Sequence, residues 1–267
     1  MAYQTIQTNT DKGILYLTLN RPESRNAMSM QMVDELLVAL ADAEKDEAVR
    51  VVVMCGAGGH FCSGGDLKDM AAARGKALSG GDESAIRRIN ARFGELCAAF
   101  ASSPLAIVAV LEGSVMGGGF GLACAVDVAL ADHKASFRLS ETSLGLVPAQ
   151  IAPYLVERLG YSQARRLAVT GGKIDGVTAL QIGLVHECHP DTGSMRDAVE
   201  RTVNDILACA PGALAQTKQL VRKARLADSA SLIEQAATIF SQAALGKEGE
   251  EGIAAFVQKR KAKWIPQ

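Results

Sequence analysis

Residues 113–125 read GSVMGGGFGLACA. The apolar run LAIVAVLE (105–112) leads in, and the second half, GLACA, is helix-like. A strand thus passes through a glycine cluster directly into a helix. Glycine lacks a Cβ and costs a helix interior about 1 kcal/mol relative to alanine. Gly113, Gly117, Gly118, Gly119 and Gly121 therefore point to something that must approach the backbone closely. Two phosphate-binding uses fail on spacing. A dinucleotide fingerprint needs glycines at n, n+2 and n+5, but counting from Gly117 ends on Leu122 and from Gly119 on Cys124. A P-loop needs a lysine after its last glycine, and Gly113 to Gly118 is followed by Gly119. What remains is a bare backbone N–H at a helix N-terminus, presented to a developing negative oxygen. One donor makes a weak oxyanion hole. A second glycine-bearing turn, HFCSGGDLKDM (60–70), follows the apolar strand RVVVMCG (50–56), and its amides near Ser63 are candidates for the partner donor.

At 267 residues the chain is long enough to bury a large core. Hydrophobic residues make up 48%, charged residues 21%, and the formal net charge is −1, which argues against nucleic acid or an anionic membrane as the main partner. Aromatic residues are only 4%, which disfavours a base- or sugar-stacking surface. No stretch reaches the ~18 apolar residues of a membrane span. MAYQTIQTNTDKG at the start lacks the pattern of a signal or transit peptide. Cys55, Cys62, Cys97, Cys124, Cys188 and Cys209 sit among apolar neighbours, the expectation for reduced core thiols of a cytoplasmic protein.

Strand and helix patterns alternate through the first two thirds. GILYLTLN (13–20) alternates like a strand, and Ser29 is placed to cap a helix carrying Val33, Leu36, Leu37 and Leu40. Residues 70–85 are small and polar, predicting a mobile loop, and 84–101 predict a helix with Ile86, Ile89, Phe93 and Cys97 on one side. Strands are expected at 105–113, 126–132, 135–139 and in LVHECHP (184–190), with short helices punctuated by glycine between the last two. From about residue 194 the pattern is helical, with Pro211 suited to a first helical position. The reading is an α/β core over residues 1–195 and a C-terminal helical region over 196–267. HECH (186–189) has no second cluster to complete a metal site, and no G-x-S-x-G elbow makes Ser63 a nucleophile.

FCSGGDLKDM and GSVMGGGFGLACAVDVALADHKASFRLSETSLGLVP resemble the two signature regions of the crotonase (enoyl-CoA hydratase/isomerase) superfamily. LNRPESRNAMS (19–29) and EEGIAAFVQKRKAKW (250–264) are similar to its terminal blocks. The resemblance implies a crotonase-like spiral of ββα units and a C-terminal helical region that forms trimers, often paired into hexamers. It implies a thioester oxygen held by the amides of Ser63 and Gly118. Coenzyme A would run along Arg25 to Ala27, with its adenine near Asp66, Leu67 and Lys68, and Lys259 of a neighbouring subunit would approach its phosphate. CoA is part of the substrate, so no cofactor and no metal is implied. Family hydratases use two glutamates. The second matches Glu141, whereas the first falls on Gly121, a departure that leaves one acid/base, with Gln150, Ser140 and Glu112 as candidate helpers.

Within the superfamily, GGGFGLACA together with SLGLVPAQIAPYLVERLG resembles hydratases of branched glutaconyl-CoA thioesters, isohexenylglutaconyl-CoA in acyclic terpene breakdown and 3-methylglutaconyl-CoA in leucine breakdown. Such substrates carry a second carboxylate, for which Arg74, Arg87, Arg88 and Arg92 are candidate partners. The alternatives are an enoyl-CoA isomerase with a single acid/base, and a non-catalytic acyl-CoA-binding protein.

Overall fold

A computed structural model of the chain describes residues 3–80 and 84–266. The first half runs β1 (Ile6–Asp11), β2 (Ile14–Leu19), α1 (Met30–Lys45), β3 (Val51–Gly56), α2 (Leu67–Leu78), α3 (Ala85–Ser102), β4 (Ala106–Leu111), β5 (Ser114–Met116) and α4 (Gly118–Ala125). Then come β6 (Val128–Asp132), β7 (Ser136–Arg138), α5 (Ala152–Thr170), β8 (Lys173–Asp175), α6 (Gly176–Gln181) and β9 (Glu187–His189). The chain closes with α7 (Thr192–Ala208), α8 (Pro211–Ala224), α9 (Ser229–Leu245) and α10 (Lys247–Val257). One sheet has the order β1-β2-β3-β4-β6-β9, parallel except for the β1–β2 hairpin, and a smaller one has the order β5-β7-β8. This is a mixed α/β fold, the class that the resemblance implies.

The register explains why the central strands are apolar throughout. Val52 and Met54 of β3 join Ile107 and Ala109 of β4 in the core beneath α1, α3 and α4. Val51, Val53, Ala106 and Val108 belong to a second cluster, closed by Met195, Ala198, Val203 and Leu207 of α7. Both faces are covered, so the strands read as continuous hydrophobic runs and not as alternating ones. Each large side chain fully buried there contributes about 1.5–3 kcal/mol.

Ser29 caps α1 as its sequence suggests, accepting the Met32 amide at 3.2 Å, and Pro211 opens α8. Several expectations are corrected. The predicted loop over 70–85 is largely helix α2. Asp66 caps it through the Lys68 amide, and Ala71, Ala72 and Ala73 supply the best helix-forming residue, which outweighs Gly75. Part of that expected loop, residues 81–83, lies outside the described residues. The two short helices expected after residue 153 are one element, α5, bent at Gly160 (φ 69°). Strands β1 and β8 carry one buried residue each and β5 is only three residues long, so none of them declares itself in sequence. A boundary between residues 195 and 196 falls inside α7, whose buried residues close the sheet core. Cys209 is exposed, unlike the buried Cys62, Cys97 and Cys124, and all six cysteines are free. Among the described residues no helix is long and apolar enough to cross a membrane.

Candidate active site

The stretch 113–125 folds as a strand, a turn and a helix. β5 ends at Met116 and is followed by Gly117, whose φ of 50° and ψ of −117° only glycine holds without strain. That turn aims α4 into the molecule. Gly118 is its first residue, so its N–H is one of the amides with no acceptor inside the helix. It donates to no other group among the described residues. A Cβ on Gly118 would lie 3.1 Å from Phe93 Cζ, and one on Gly119 would lie 2.7 Å from Cys62 Cβ. Close packing, not flexibility, demands these glycines.

The first glycine turn is stitched to the second. The Cys62 amide donates to the Ser114 carbonyl at 2.8 Å, and the Met116 amide donates to the Cys62 carbonyl at 2.9 Å. Gly64, at φ 105°, lies against the Gly117 backbone. Here the expected donor is corrected. The Ser63 amide donates to the Arg25 carbonyl at 2.9 Å, and the Ser63 hydroxyl donates to the Ser24 carbonyl at 2.9 Å. Ser63 is spent on structure. Gly65 bridges Met28 in parallel fashion, through the Gly64 carbonyl and the Asp66 amide. That pattern turns the Gly65 N–H away from Met28. It has no acceptor among the described residues, and Gly65 lines the same cleft as Gly118. The sequence signal was available: of the residues in SGGD, Gly65 is the bare position directly before the helix cap Asp66.

Glu141 follows β7 and lines this cleft. Its Oε1 lies 3.3 Å from where a Cβ of Gly117 would stand, while its Oε2 is buried without a hydrogen-bond partner among the described residues. Burial pushes its carboxyl above the ordinary carboxylate range, against a smaller opposing effect of its own backbone amide. An unpaired carboxyl in an apolar cleft is suited to taking and returning a proton. Ser140 and Gln150 also line the cleft, whereas Glu112 does not.

Position 121 has no room for a carboxylate. A Cβ on Gly121 would sit 2.0 Å from Ile151 Cγ2 and 2.6 Å from Ile151 Cβ. An aliphatic side chain occupies the space into which a second glutamate would project. The cleft, about 710 Å³, is walled beyond this point by Ile86, Ile89 and Phe93 of α3 and by Leu146, Val147 and Ile151. Arg87, Asn90 and Gln150 interrupt this wall, and Asp69, whose carboxylate accepts the Met30 amide at 2.9 Å, lines the cleft from α2. The Gln150 amide donates to Asn90 Oδ1 at 2.9 Å, leaving the Asn90 NH2 as a donor, and Gly94 clears the space that Gln150 Oε1 fills. Arg87 stands three residues before Asn90, on the same helical face. It makes no ion pair or hydrogen bond among the described residues. Of the other arginines, Arg92 is paired with Asp34 (2.7 Å) and Glu95 (2.6 Å), Arg88 is bonded to Ser84, and Arg74 is exposed and does not line the cleft.

The residues expected along coenzyme A are dispersed. Asp66 and Leu67 line the cleft, but Arg25, Ala27, Lys68 and Lys259 do not. The Asp66 carboxylate is committed to Arg21 at 2.8 Å and to the Lys68 amide. Burial works against its charge, but these bonds outweigh that cost and hold its carboxyl below the ordinary range. Lys259 is exposed on the far C-terminal segment, at φ 52°. Cys62, beneath both turns, is not a nucleophile: burial pushes its thiol up to about 12.

Two unpaired amides from two glycine turns and one half-buried carboxyl beside them thus face one cleft of this α/β fold. The chain belongs to the enoyl-CoA hydratase/isomerase family, whose model matches residues 9–267. It is similar to enoyl-CoA hydratase ACTT6 of Alternaria alternata, 33% identical over 255 residues covering 95% of this chain and 80% of that one. It is also similar to the peroxisomal Delta(3,5)-Delta(2,4)-dienoyl-CoA isomerase of Arabidopsis thaliana, 28% identical over 269 residues covering 98% and 96%. Among solved structures, Pseudomonas aeruginosa AtuE superposes with a TM-score of 0.94 at 48% identity, covering 98% of this chain and 100% of that one.

Proposed function

We propose that this protein hydrates a 2-enoyl-CoA thioester bearing a second carboxylate on its acyl part, a branched glutaconyl-CoA such as isohexenylglutaconyl-CoA or 3-methylglutaconyl-CoA. The thioester oxygen accepts from the Gly65 and Gly118 amides. Water oxygen bonds to Cβ, the π pair of the Cα=Cβ bond moves to form the enolate, and negative charge gathers on that oxygen. Glu141 gives its proton to Cα and recovers one from the attacking water, so the net change is addition of H2O. One observation carries the substrate class: Arg87 is the one cation lining the cleft among the described residues, beside the donor face of Asn90 and among the apolar Ile86, Ile89 and Phe93 of α3. Such a pair suits an anionic group, and the apolar remainder suits a branched chain.

The test is loss of enoyl-thioester absorbance with crotonyl-CoA and 3-methylglutaconyl-CoA. Arg87→Gln is expected to lower kcat/KM for the dicarboxylic thioester at least tenfold and to leave crotonyl-CoA within about threefold. Equal effects on both would end the assignment of Arg87. The Ile151-filled space at Gly121 favours a second reading, a single-carboxylate isomerase, because moving a proton between Cα and Cγ needs no water clamp. Heavy-water incubation separates the two, since only hydration consumes the double bond.

The same reading includes self-association as a trimer or dimer of trimers. Helices α8 and α9 bury no residue within the chain, and Leu226, Ile233, Phe240, Leu245 and Phe256 stand exposed, Phe256 by 86%. An apolar face of this kind in a water-soluble fold calls for a partner surface. Light scattering should give three or six times the 28.0 kDa chain mass, and Phe240→Asp should lower it. A monomer would overturn the assignment.

A further inference from the structure

We propose that Asn26 is a positioning residue for the oxyanion site: it fixes the turn that leaves the Gly65 amide as the free donor of its loop. Asn26 is fully buried, does not line the cleft, and is therefore outside the chemistry itself. Its carboxamide uses both ends. Oδ1 accepts the Arg21 amide at 2.8 Å, and Nδ2 donates to the carbonyls of Ala57 (2.9 Å) and His60 (2.6 Å). Its own amide donates to the Arg21 carbonyl at 2.9 Å. These bonds pin the turn over residues 21–28 to the segment leaving β3. They also hold two successive non-glycine residues, Arg25 (φ 51°) and Asn26 (φ 57°), in the left-handed region that such residues avoid.

That strained turn is what the oxyanion loop leans on. The Arg25 carbonyl takes the Ser63 amide, the Ser24 carbonyl takes the Ser63 hydroxyl, and Met28 bonds to both the Gly64 carbonyl and the Asp66 amide. Each neighbour of Gly65 is thereby engaged, and the Gly65 N–H is turned the other way. The far side of the clamp reaches the glycine stretch 113–121 as well, since the Ser114 amide donates to His60 Nδ1 at 3.0 Å. A Cβ on Gly56 would strike Asn26 Nδ2 at 2.8 Å and the His60 carbonyl at 1.9 Å, so the chain is drawn tight around this carboxamide. Only a side chain with an acceptor and a two-hydrogen donor on one short stem satisfies all three partners. A carboxylate would face two carbonyl oxygens instead.

The proposal rests on the oxyanion reading above, and its test separates the two. The probe is an aryl-enoyl-CoA thioester, whose absorption moves to the red when its carbonyl is polarised. Asn26→Asp keeps the shape and reverses the donor. Asn26→Gly accepts the left-handed φ without strain and removes all three bonds, and it is the variant read if the aspartate does not fold. Folded variant is expected to lose most of the red shift and about 100-fold in kcat, with KM for the thioester within threefold. A raised KM with kcat unchanged would make the turn a CoA contact only. A lowered Tm with the red shift and kcat intact would make Asn26 merely structural. Either result overturns the proposal. Absence of a red shift in the unmodified protein at saturation would instead overturn the oxyanion reading itself.

Discussion

Gly118→Pro lowers kcat by about 10²–10³-fold, the loss of roughly 3–4 kcal/mol of transition-state stabilisation that follows removal of one oxyanion donor. Position 118 is unusually suited to the test. It is the first residue of α4, where proline fits a helix and where the amide it deletes has no helical partner to lose. The added Cβ approaches Phe93 Cζ at 3.1 Å, so the ring must give by a few tenths of an ångström. Gly118→Ala supplies the control, because it introduces the same Cβ and keeps the N–H. The amide is isolated in the ratio of the two variants: alanine should fall within about tenfold of the parent, and proline far below it. Equal turnover by the two, in folded protein with matched thioester affinity, would mean that the oxygen is held elsewhere. Ser63→Ala should by comparison change little in kcat, because Ser63, although it lines the cleft, gives its hydroxyl to the Ser24 carbonyl.

The contrast between Ser63 and Gly65 shows how far sequence carries. The glycine pattern announced that bare backbone was wanted at two turns, and the strand before each turn was legible in its β-branched residues. Which amide is free could not be read from either. It depends on where the Arg25 carbonyl lies, and that is set by a left-handed turn held through Asn26, 37 positions before Ser63 in the chain. Arg87 poses the same difficulty. Arg74, Arg87, Arg88 and Arg92 are alike in sequence. Only helical phase and the competing carboxylates Asp34 and Glu95 decide that Arg87 lines the cleft without a partner. Gly121 was conspicuous as a departure from the family's two glutamates, but its cause lies 30 residues away, where Ile151 fills the vacated volume. Helix α2 is hidden in the sequence for a simpler reason. Its cap, Asp66, lies inside the glycine turn, and its alanines were outweighed by the glycines and serines that follow.

Glu141→Gln should cost about 10²–10⁴-fold in kcat, the range for loss of a positioned acid/base, while making the folded chain more stable at neutral pH. The sign follows from burial. Desolvation raises the folded-state pKa of Glu141 above its unfolded value, so the folded chain binds that proton more tightly. Such a group favours folding below its unfolded pKa, and the contribution is lost as pH rises through the folded pKa. At pH 7 the side chain is ionised in the unfolded chain, whereas burial, with Oε2 unpartnered, penalises ionisation in the folded one, and the difference opposes folding. A neutral amide of the same shape carries no such charge. The Tm of Glu141→Gln should exceed that of the parent at pH 7, and the gap should close as pH falls toward the ordinary carboxylate range, where the parent's side chain is neutral too. Thermal melts across pH, paired with the absorbance assay, read both effects on one variant. The two must appear together: activity lost without the pH-dependent gain in Tm would place the carboxylate in a solvated or ion-paired setting, and its proton could no longer be tuned by the apolar cleft. Stability withheld at this one side chain is what keeps a carboxyl able to return a proton to carbon near neutral pH.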